Sequence, residues 1–376
     1  MNPMQKRRNA ESQKKKNPAQ RRRTAERTNG ESILPCVLRF CDSVLGVKGQ
    51  TRLRLLVTGG AGYIGSVVTS KLLAAGHQVV VYDNLSRGYR QAVPGNVDLV
   101  IGEVADRGKL ESVLGSQRFD AVLHFAALIE AGESMQVPER YFRNNTASTL
   151  TLLEAMLAHG VKRLVFSSTA AVYGEPQRIP ICETDPLKPT NVYGESKLLV
   201  ERMLDWLHRI HGLRYASLRY FNAAGACGEL GEAHRPETHL IPLILQVALG
   251  RRESISVFGN DYPTADGTCV RDYIHVADLA QAHLLALEAL DRAGQLIYNL
   301  GNGRGFSVQE VIEVARRVTG RPIPAVITPR RPGDPAVLVA SSEKIQRELG
   351  WQPNYPELEA IVATAWEWHR RHPQGY

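Results

Sequence analysis

Cysteine is scarce in this sequence, five in 376 residues, and the five are scattered. Cys36, Cys41, Cys182, Cys227 and Cys269 are odd in number and lack CxxC spacing. That argues against a disulfide framework and a cysteine zinc site, and fits a reducing compartment, the cytoplasm. No set of metal ligands is read from the chain. Long apolar runs are also missing: none approaches the roughly 20 residues that span a bilayer, so no membrane partner is expected. A charge excess of one sign is absent from most of the chain. The formal net charge is +8, yet residues 1–30 hold ten Lys/Arg against two Asp/Glu and carry all of it. A nucleic-acid partner would rest on that basic tail alone and is not expected.

The tail carries Lys6-Arg7-Arg8, Lys14-Lys15-Lys16 and Arg21-Arg22-Arg23 with almost no apolar residues. Such a segment cannot bury a core and is expected to be disordered. Residues 31–50 are mildly apolar but irregular, and fit a secretory signal poorly. Residues 1–50 are therefore read as a basic extension: a dispensable tail or upstream sequence from an earlier start codon, ahead of an organelle leader.

What is present begins at Leu53. An apolar run, residues 53–57, breaks into Gly59, Gly62 and Gly65, and apolar periodicity resumes over 67–75. This reads as a buried strand, a tight turn and a helix. The unpaired N–H groups of the helix start, at the positive end of its dipole, suit a pyrophosphate. Glycines spaced by three allow the turn, close approach of the phosphate, and helix–strand packing. A glycine cluster alone is weak. A second apolar strand over 77–82 ends at Asp83, 18 residues after Gly65. A carboxylate there can accept from both adenosine ribose hydroxyls and repels a 2′-phosphate, which points to NAD over NADP.

Strand and helix patterns then alternate. Strands are expected over 97–101, 120–125, 163–167 and 215–220, and helices over 106–114, 137–159, 198–211 and 240–249. That spacing predicts a parallel, doubly wound α/β sheet. From Asn222 the pattern loosens and Pro and Gly become dense. Residues 51–221 are expected to form mainly the dinucleotide-binding domain. Residues 222–376 are expected to form mainly a smaller C-terminal substrate lobe, with segments returning to the sheet and ligands bound at its carboxyl edge.

Tyr193-Gly194-Glu195-Ser196-Lys197 sets a phenol and an ammonium four apart on one helix face. Free tyrosine, with a pKa near ~10, is a poor base at neutral pH. The ammonium and a nicotinamide ring would lower it, so that Tyr193 could take a proton from a substrate hydroxyl as hydride leaves the same carbon. Lys197 would also bond the nicotinamide ribose. Ser167, Ser168 and Thr169 close the strand before it, and Thr169 can hold the reacting oxygen. Each feature has an ordinary counterpart: a surface Tyr and Lys, or a strand-end hydroxyl capping its own backbone.

In combination, VTGGAGYIGS, YDNLSRG, HFAA, FSSTAAVYGE, YGESK, RYFNAAGA, FGNDYPTADGTCVRDYIHV, YNLGNG, PRRPGDPA and the closing HPQGY resemble the UDP-glucose 4-epimerases, which are extended short-chain dehydrogenases/reductases with a Rossmann sheet. The resemblance runs from about Leu53 to Tyr376. It implies interconversion of UDP-glucose and UDP-galactose through a 4-keto intermediate, with Tyr193 as base, Thr169 its partner and Lys197 its lysine. NAD is implied as a tightly held, recycled cofactor. By motif, Tyr63 and Ile64 match the pyrophosphate site, and Asp83, Asn84, Leu85, Ser86, Arg87 and Gly88 the adenosine site. Glu103 and Val104 match an acidic–aliphatic pair near adenine, where Asp is commoner at the first position. Phe125, Ala126, Ala127, Leu128, Asn144 and Phe221 match further cofactor contacts. Asn222, Arg271 and Arg331 match residues that hold the nucleotide diphosphate, as two planar guanidinium forks can, and Phe258 matches a residue over uracil.

Two positions depart from the pattern. Ile129 stands where some members carry lysine, and Leu338 where some carry a tyrosine that narrows the sugar pocket, which suggests room for a C2 N-acetyl group. A 4,6-dehydratase would need an acid–base pair after Thr169, and Ala170-Ala171 cannot transfer protons. A UDP-pentose 4-epimerase remains open. A non-catalytic NAD sensor would be expected to lose Tyr193 or Lys197, and both are present. A homodimer through helices near 145–159 and 193–211 is also implied.

Overall fold

The computed structural model describes residues 52–331 and 334–376; the expectations for residues 1–50 lie outside them. Strand β1 (Arg54–Thr58) alternates its side chains across the sheet, so Leu55 and Val57 enter one core while Leu56 enters the other. After the glycine turn comes α1 (Tyr63–Ala74), then β2 (Gln78–Asp83), β3 (Asp98–Ile101), α2 (Arg107–Ser116) and β4 (Ala121–His124). Next are α3 (Ser148–Ala158), β5 (Arg163–Thr169), α4 (Val192–His211) and β6 (Arg214–Tyr220).

The helix expected over 137–159 is interrupted. A short α-helical turn, Pro138–Tyr141, passes into a π-helix over Phe142–Ala147 before α3 begins. Apolar periodicity cannot report this, because a wider turn shifts the register without changing residue type.

From Asn222 the chain is more regular than its composition suggested. It forms β7 (Asn222–Ala224), α5 (Leu240–Ala248), β8 (Ile255–Phe258), β9 (Val270–His275), α6 (Val276–Ala289) and β10 (Gln295–Leu300). It continues through β11 (Gly305–Ser307), α7 (Val308–Thr319), β12 (Ala325–Thr328), β13 (Val337–Leu338), α8 (Glu343–Leu349) and α9 (Leu358–Arg371). The main sheet has seven parallel strands in the order β10-β6-β5-β4-β1-β2-β3. Side chains of α1 and α6, among them Val67, Leu72, Leu279 and Leu287, fill the core on one face. Those of α2, α3 and α4, among them Leu110, Leu153 and Leu204, fill the other. This is a doubly wound Rossmann sheet, with its reversal of direction between β1 and β4.

Beyond it, β7 and β13 pair with β9 in parallel and β11 pairs with β9 antiparallel, while β8 pairs with β12. Among the described residues no helix is long and apolar enough to cross a membrane.

Candidate active site

The glycine turn lies at the carboxyl end of β1. Gly59 has φ +74°, and a Cβ there would stand 2.4 Å from the Ala126 amide nitrogen. A Cβ on Gly65 would stand 2.2 Å from the Gly59 carbonyl oxygen. Gly62 differs: its only near neighbour would be that same oxygen, at 3.3 Å. Among the described residues no other atom stands within 4 Å of that added Cβ. Gly62 is also the N-cap of α1 and offers no side-chain cap, so the first N–H groups of the helix are left to an anion. The cradle fits a pyrophosphate.

Asp83 ends β2, buried. One carboxylate oxygen accepts from the Ala61 amide at 3.0 Å and the other from the Leu85 amide at 2.8 Å. Burial raises its pKa against those two bonds. It thus braces the glycine turn against the loop that follows β2, and its carboxylate keeps further lone pairs able to accept from a ribose. In that loop Leu85 takes a left-handed φ of +58°, strained for a side chain of this type. Asn84 accepts from the Ser86 amide at 2.9 Å and donates to Glu103 at 3.0 Å. Gly88 packs over Ala61. Val104 packs against the core behind β2.

The side chains of three expected contact residues have partners within the protein. The Tyr63 hydroxyl donates to the Gly225 carbonyl at 2.7 Å, and Ile64 packs into the core. Arg87 bridges Glu130 at 3.0 Å and donates to the Arg235 carbonyl.

After β4 the chain runs through Phe125, Ala126, Ala127 and Leu128. The Phe125 and Ala126 amides bond the Thr58 carbonyl at 2.8 and 3.2 Å, holding this segment against β1. Asn145, on the π-helix, grips the other end, accepting from the Leu128 amide and donating to its carbonyl, both at 2.9 Å. It also donates to Ser196 at 3.1 Å and accepts from Asn144 at 2.9 Å. Asn145 was not singled out from the sequence; the doubled Asn144-Asn145 was its only signal.

Helix α4 carries the phenol and the ammonium. Its N-cap Asn191 accepts from the Gly194 amide at 2.8 Å, and Gly212 closes it at φ +66°. Lys197, Glu201 and Leu204 lie on its buried face. Lys197 is 2% exposed; its ammonium donates to the Ser167 carbonyl at 2.9 Å and lies 4.9 Å from the Phe166 ring centre. Burial pushes it down to about 7. One turn on, Glu201 pairs with Arg219 of β6 and accepts from Ser168, which anchors α4 to two strands.

Tyr193 stands beside Thr169, the last residue of β5. In the protein alone, burial pushes the phenol up to about 12; Thr169 pulls the other way, and the negative Glu130 adds to the rise. The lowering expected at this phenol was assigned to the ammonium together with a nicotinamide ring, and the protein alone supplies only the first. Ser134, also unforeseen, accepts from the Tyr193 amide at 3.1 Å.

The remaining residues gather around β9. Asn222 donates to the Asp272 carbonyl at 3.0 Å. Arg271 pairs with Asp334, whose amide bonds the Arg331 carbonyl at 3.3 Å. The Arg331 guanidinium stacks 3.9 Å above the Phe258 ring centre. Phe221 and Leu338 pack on the cluster of Val172, Tyr173, Ile181 and Leu198. The two arginines share a neighbourhood, but neither fork is idle.

A family model described as "NAD dependent epimerase/dehydratase family" matches residues 55–301. The chain belongs to that family. A UDP-glucose 4-epimerase of Halalkalibacterium halodurans is 57% identical over 86% of this chain and 97% of its own. One from Streptomyces lividans is 56% identical over 86% and 98%. A crystal structure of UDP-glucose 4-epimerase from Bifidobacterium longum in complex with NAD+ and UDP is 40% identical, with a TM-score of 0.83 over 86% of this chain and 100% of that one.

Proposed function

We propose that the chain interconverts UDP-glucose and UDP-galactose by NAD-dependent epimerisation at C4. The observation that carries this reading is the meeting of Tyr193 with Thr169, with Lys197 buried one helical turn away, in a chain 57% identical to a UDP-glucose 4-epimerase. When bound, NAD+ supplies a hydride acceptor and a positive charge beside the phenol. Gly59, Gly62 and Gly65 would hold its pyrophosphate and Asp83 its adenosine ribose. Lys197 would bond the nicotinamide ribose.

With that positive charge close by, Tyr193 becomes a competent base and takes the proton from the C4 hydroxyl. Thr169 holds the reacting oxygen through the change from alcohol to ketone. The 4-keto sugar turns about its diphosphate link, and Tyr193 returns the proton when hydride is restored on the other face. Asn222, Arg271 and Arg331 hold the diphosphate and Phe258 covers the uracil; Arg271 would exchange Asp334 for phosphate oxygens.

A second reading is turnover of C2 N-acetylated UDP-sugars. It rests on Leu338, which stands beside Phe221 and Leu198, one residue beyond Lys197, in place of a longer tyrosine. No disulfide joins the three described cysteines, which supports a reducing, cytoplasmic setting. Trp206 and Ile210 on α4 are 60% and 66% exposed and Leu150 on α3 is also exposed, which supports a homodimer through these helices. We retain the division at residues 221/222 as a division of labour, cofactor before it and nucleotide sugar after it. A panel of UDP-glucose, UDP-N-acetylglucosamine and UDP-pentose on the wild-type chain and on Tyr193→Phe tests the reading. Turnover of UDP-glucose that depends on Tyr193 is expected.

A further inference from the structure

The segment between β7 and α5 contains a doubled Glu-x-His pattern, Glu232-Ala233-His234 and Glu237-Thr238-His239. The fold brings both halves to one point. Glu232 Oε1 lies 3.1 Å from His234 Nδ1 and 2.8 Å from His239 Nδ1. Glu237 Oε1 lies 2.8 Å from the same His239 nitrogen. One ligand atom from each of the four lies within 4.8 Å of every other. Both imidazoles therefore turn the same nitrogen, Nδ1, toward the carboxylates.

Hydrogen bonding alone serves this arrangement poorly. His239 Nδ1 can carry one hydrogen, yet two carboxylate oxygens stand at 2.8 Å from it. Glu232 is only 5% exposed, so little water reaches its charge. A cation at the point of convergence would meet all four donors at once. The donor set selects its class. Two imidazoles and two carboxylates are the nitrogen and oxygen ligands of a four-coordinate zinc-type ion, whereas calcium and magnesium demand oxygen throughout. Two carboxylates also match a charge of +2. Metal–ligand bonds of about 2.1 Å in a tetrahedron set the donor atoms about 3.4 Å apart. The pairs at 2.8–3.1 Å would open slightly and the widest, at up to 4.8 Å, would close, which the His239 side chain, 40% exposed, can accommodate by turning.

The position suggests what such an ion would do. The same segment is tied to the loop after β2 and to the C-terminal residues. Tyr89 donates to the Ala233 carbonyl at 2.6 Å and Arg87 to the Arg235 carbonyl. Arg235 donates to the Gln374 carbonyl, and the Gly231 amide to the Tyr376 hydroxyl at 3.0 Å. The Tyr63 ring, on the glycine turn, meets the His234 ring edge-on at 6.5 Å between centres. Closing the eight residues from Glu232 to His239 on one ion would remove much of this segment's freedom to lift away.

We propose that Glu232, His234, Glu237 and His239 bind one zinc-class divalent cation, which locks the segment between β7 and α5 over the glycine turn. The test uses the untagged full chain, stripped with a chelator and titrated with Co2+. One equivalent should develop the intense visible absorption of a four-coordinate cobalt site, and Zn2+ should abolish it. His234→Gln should bind Co2+ at least ~100-fold more weakly, beyond the roughly 10–100-fold cost of losing an outer-shell partner. Zn2+ should raise the melting temperature of the wild type and leave that of His234→Gln unchanged. His234 is partly exposed, so this variant should fold; Glu237→Gln serves as a second variant with the same expected outcome. A wild-type chain without a one-equivalent cobalt band, or variants that keep the band, would overturn the proposal.

Discussion

Asn145 brackets Leu128: its side-chain oxygen accepts from the Leu128 amide and its side-chain nitrogen donates to the Leu128 carbonyl, each at 2.9 Å. Its nitrogen also reaches Ser196, whose hydroxyl donates to the Tyr193 carbonyl at 2.7 Å. A single buried amide thus couples the segment after β4 to the helix that carries the proposed base. Asn145→Ala would strand a buried N–H and a buried C=O, each costing about 1–3 kcal/mol. We expect a lower melting temperature together with a fall in kcat that exceeds any change in KM. Unaltered kcat in a folded variant would show that this clamp does not position Tyr193.

Among the described residues, a Cβ added to Gly62 would meet one atom within 4 Å, at 3.3 Å. Gly62→Val should therefore fold with a nearly unchanged melting temperature while its side chain occupies the phosphate cradle. NAD binding should weaken at least tenfold, or about 1.4 kcal/mol. Calorimetric titration with NAD+ reads this directly, and wild-type affinity would remove the turn from the cofactor site.

Glu201 and Arg219 form a buried pair, joined by Ser168 at 2.5 Å from Glu201 and by Tyr173 at 2.9 Å from Arg219. Removing one charge leaves the other uncompensated. Arg219→Met should cost about 3–5 kcal/mol, while Arg219→Met with Glu201→Leu should recover much of that. Urea unfolding of the two variants distinguishes an anchoring pair from a dispensable one; equal losses would contradict the pairing.

His124, His275 and His283 are buried, and burial pushes them down to about 3, 3 and 4. The unfolded chain binds protons on all three from near pH 6.5 downward, while the native chain does not. Their contribution is complete above pH 6.5 and is lost as pH falls toward 3–4. Each adds a slope of roughly 1.4 kcal/mol per pH unit. Asp272 opposes one of them, because burial lifts its carboxyl to about 7 and the native state holds that proton longer. The urea midpoint should fall between pH 6.5 and 4.5, and a flat profile there would contradict neutral buried imidazoles.

These sites differ in how far they could be read from the chain. The glycine turn, Asp83 at the end of β2 and the Tyr193/Lys197 pair were legible because each is local: a spacing on one helix or a residue at a strand end. The parallel order of the sheet followed from alternation. The π-helix at Phe142–Ala147 was hidden, since apolar spacing tolerates one wide turn. Asn145 and Glu130 were hidden because their partners come from other elements. The regularity after Asn222 was masked by its Pro- and Gly-rich connections, although α6 is needed to cover the sheet. Sequence shows an ammonium near Tyr193 but not the burial that opposes ionisation of its phenol in the protein alone.

The central claim is that Tyr193 moves the proton in a C4 epimerisation of UDP-glucose. The most direct test is conversion of UDP-glucose to UDP-galactose by the wild type and by Tyr193→Phe, each with its NAD content and melting temperature measured. General acid–base catalysis contributes about 10²–10⁴-fold, so the phenylalanine variant should bind NAD, melt like the wild type and turn over at least ~100-fold more slowly. Near-normal turnover by a folded, NAD-loaded Tyr193→Phe would contradict the account.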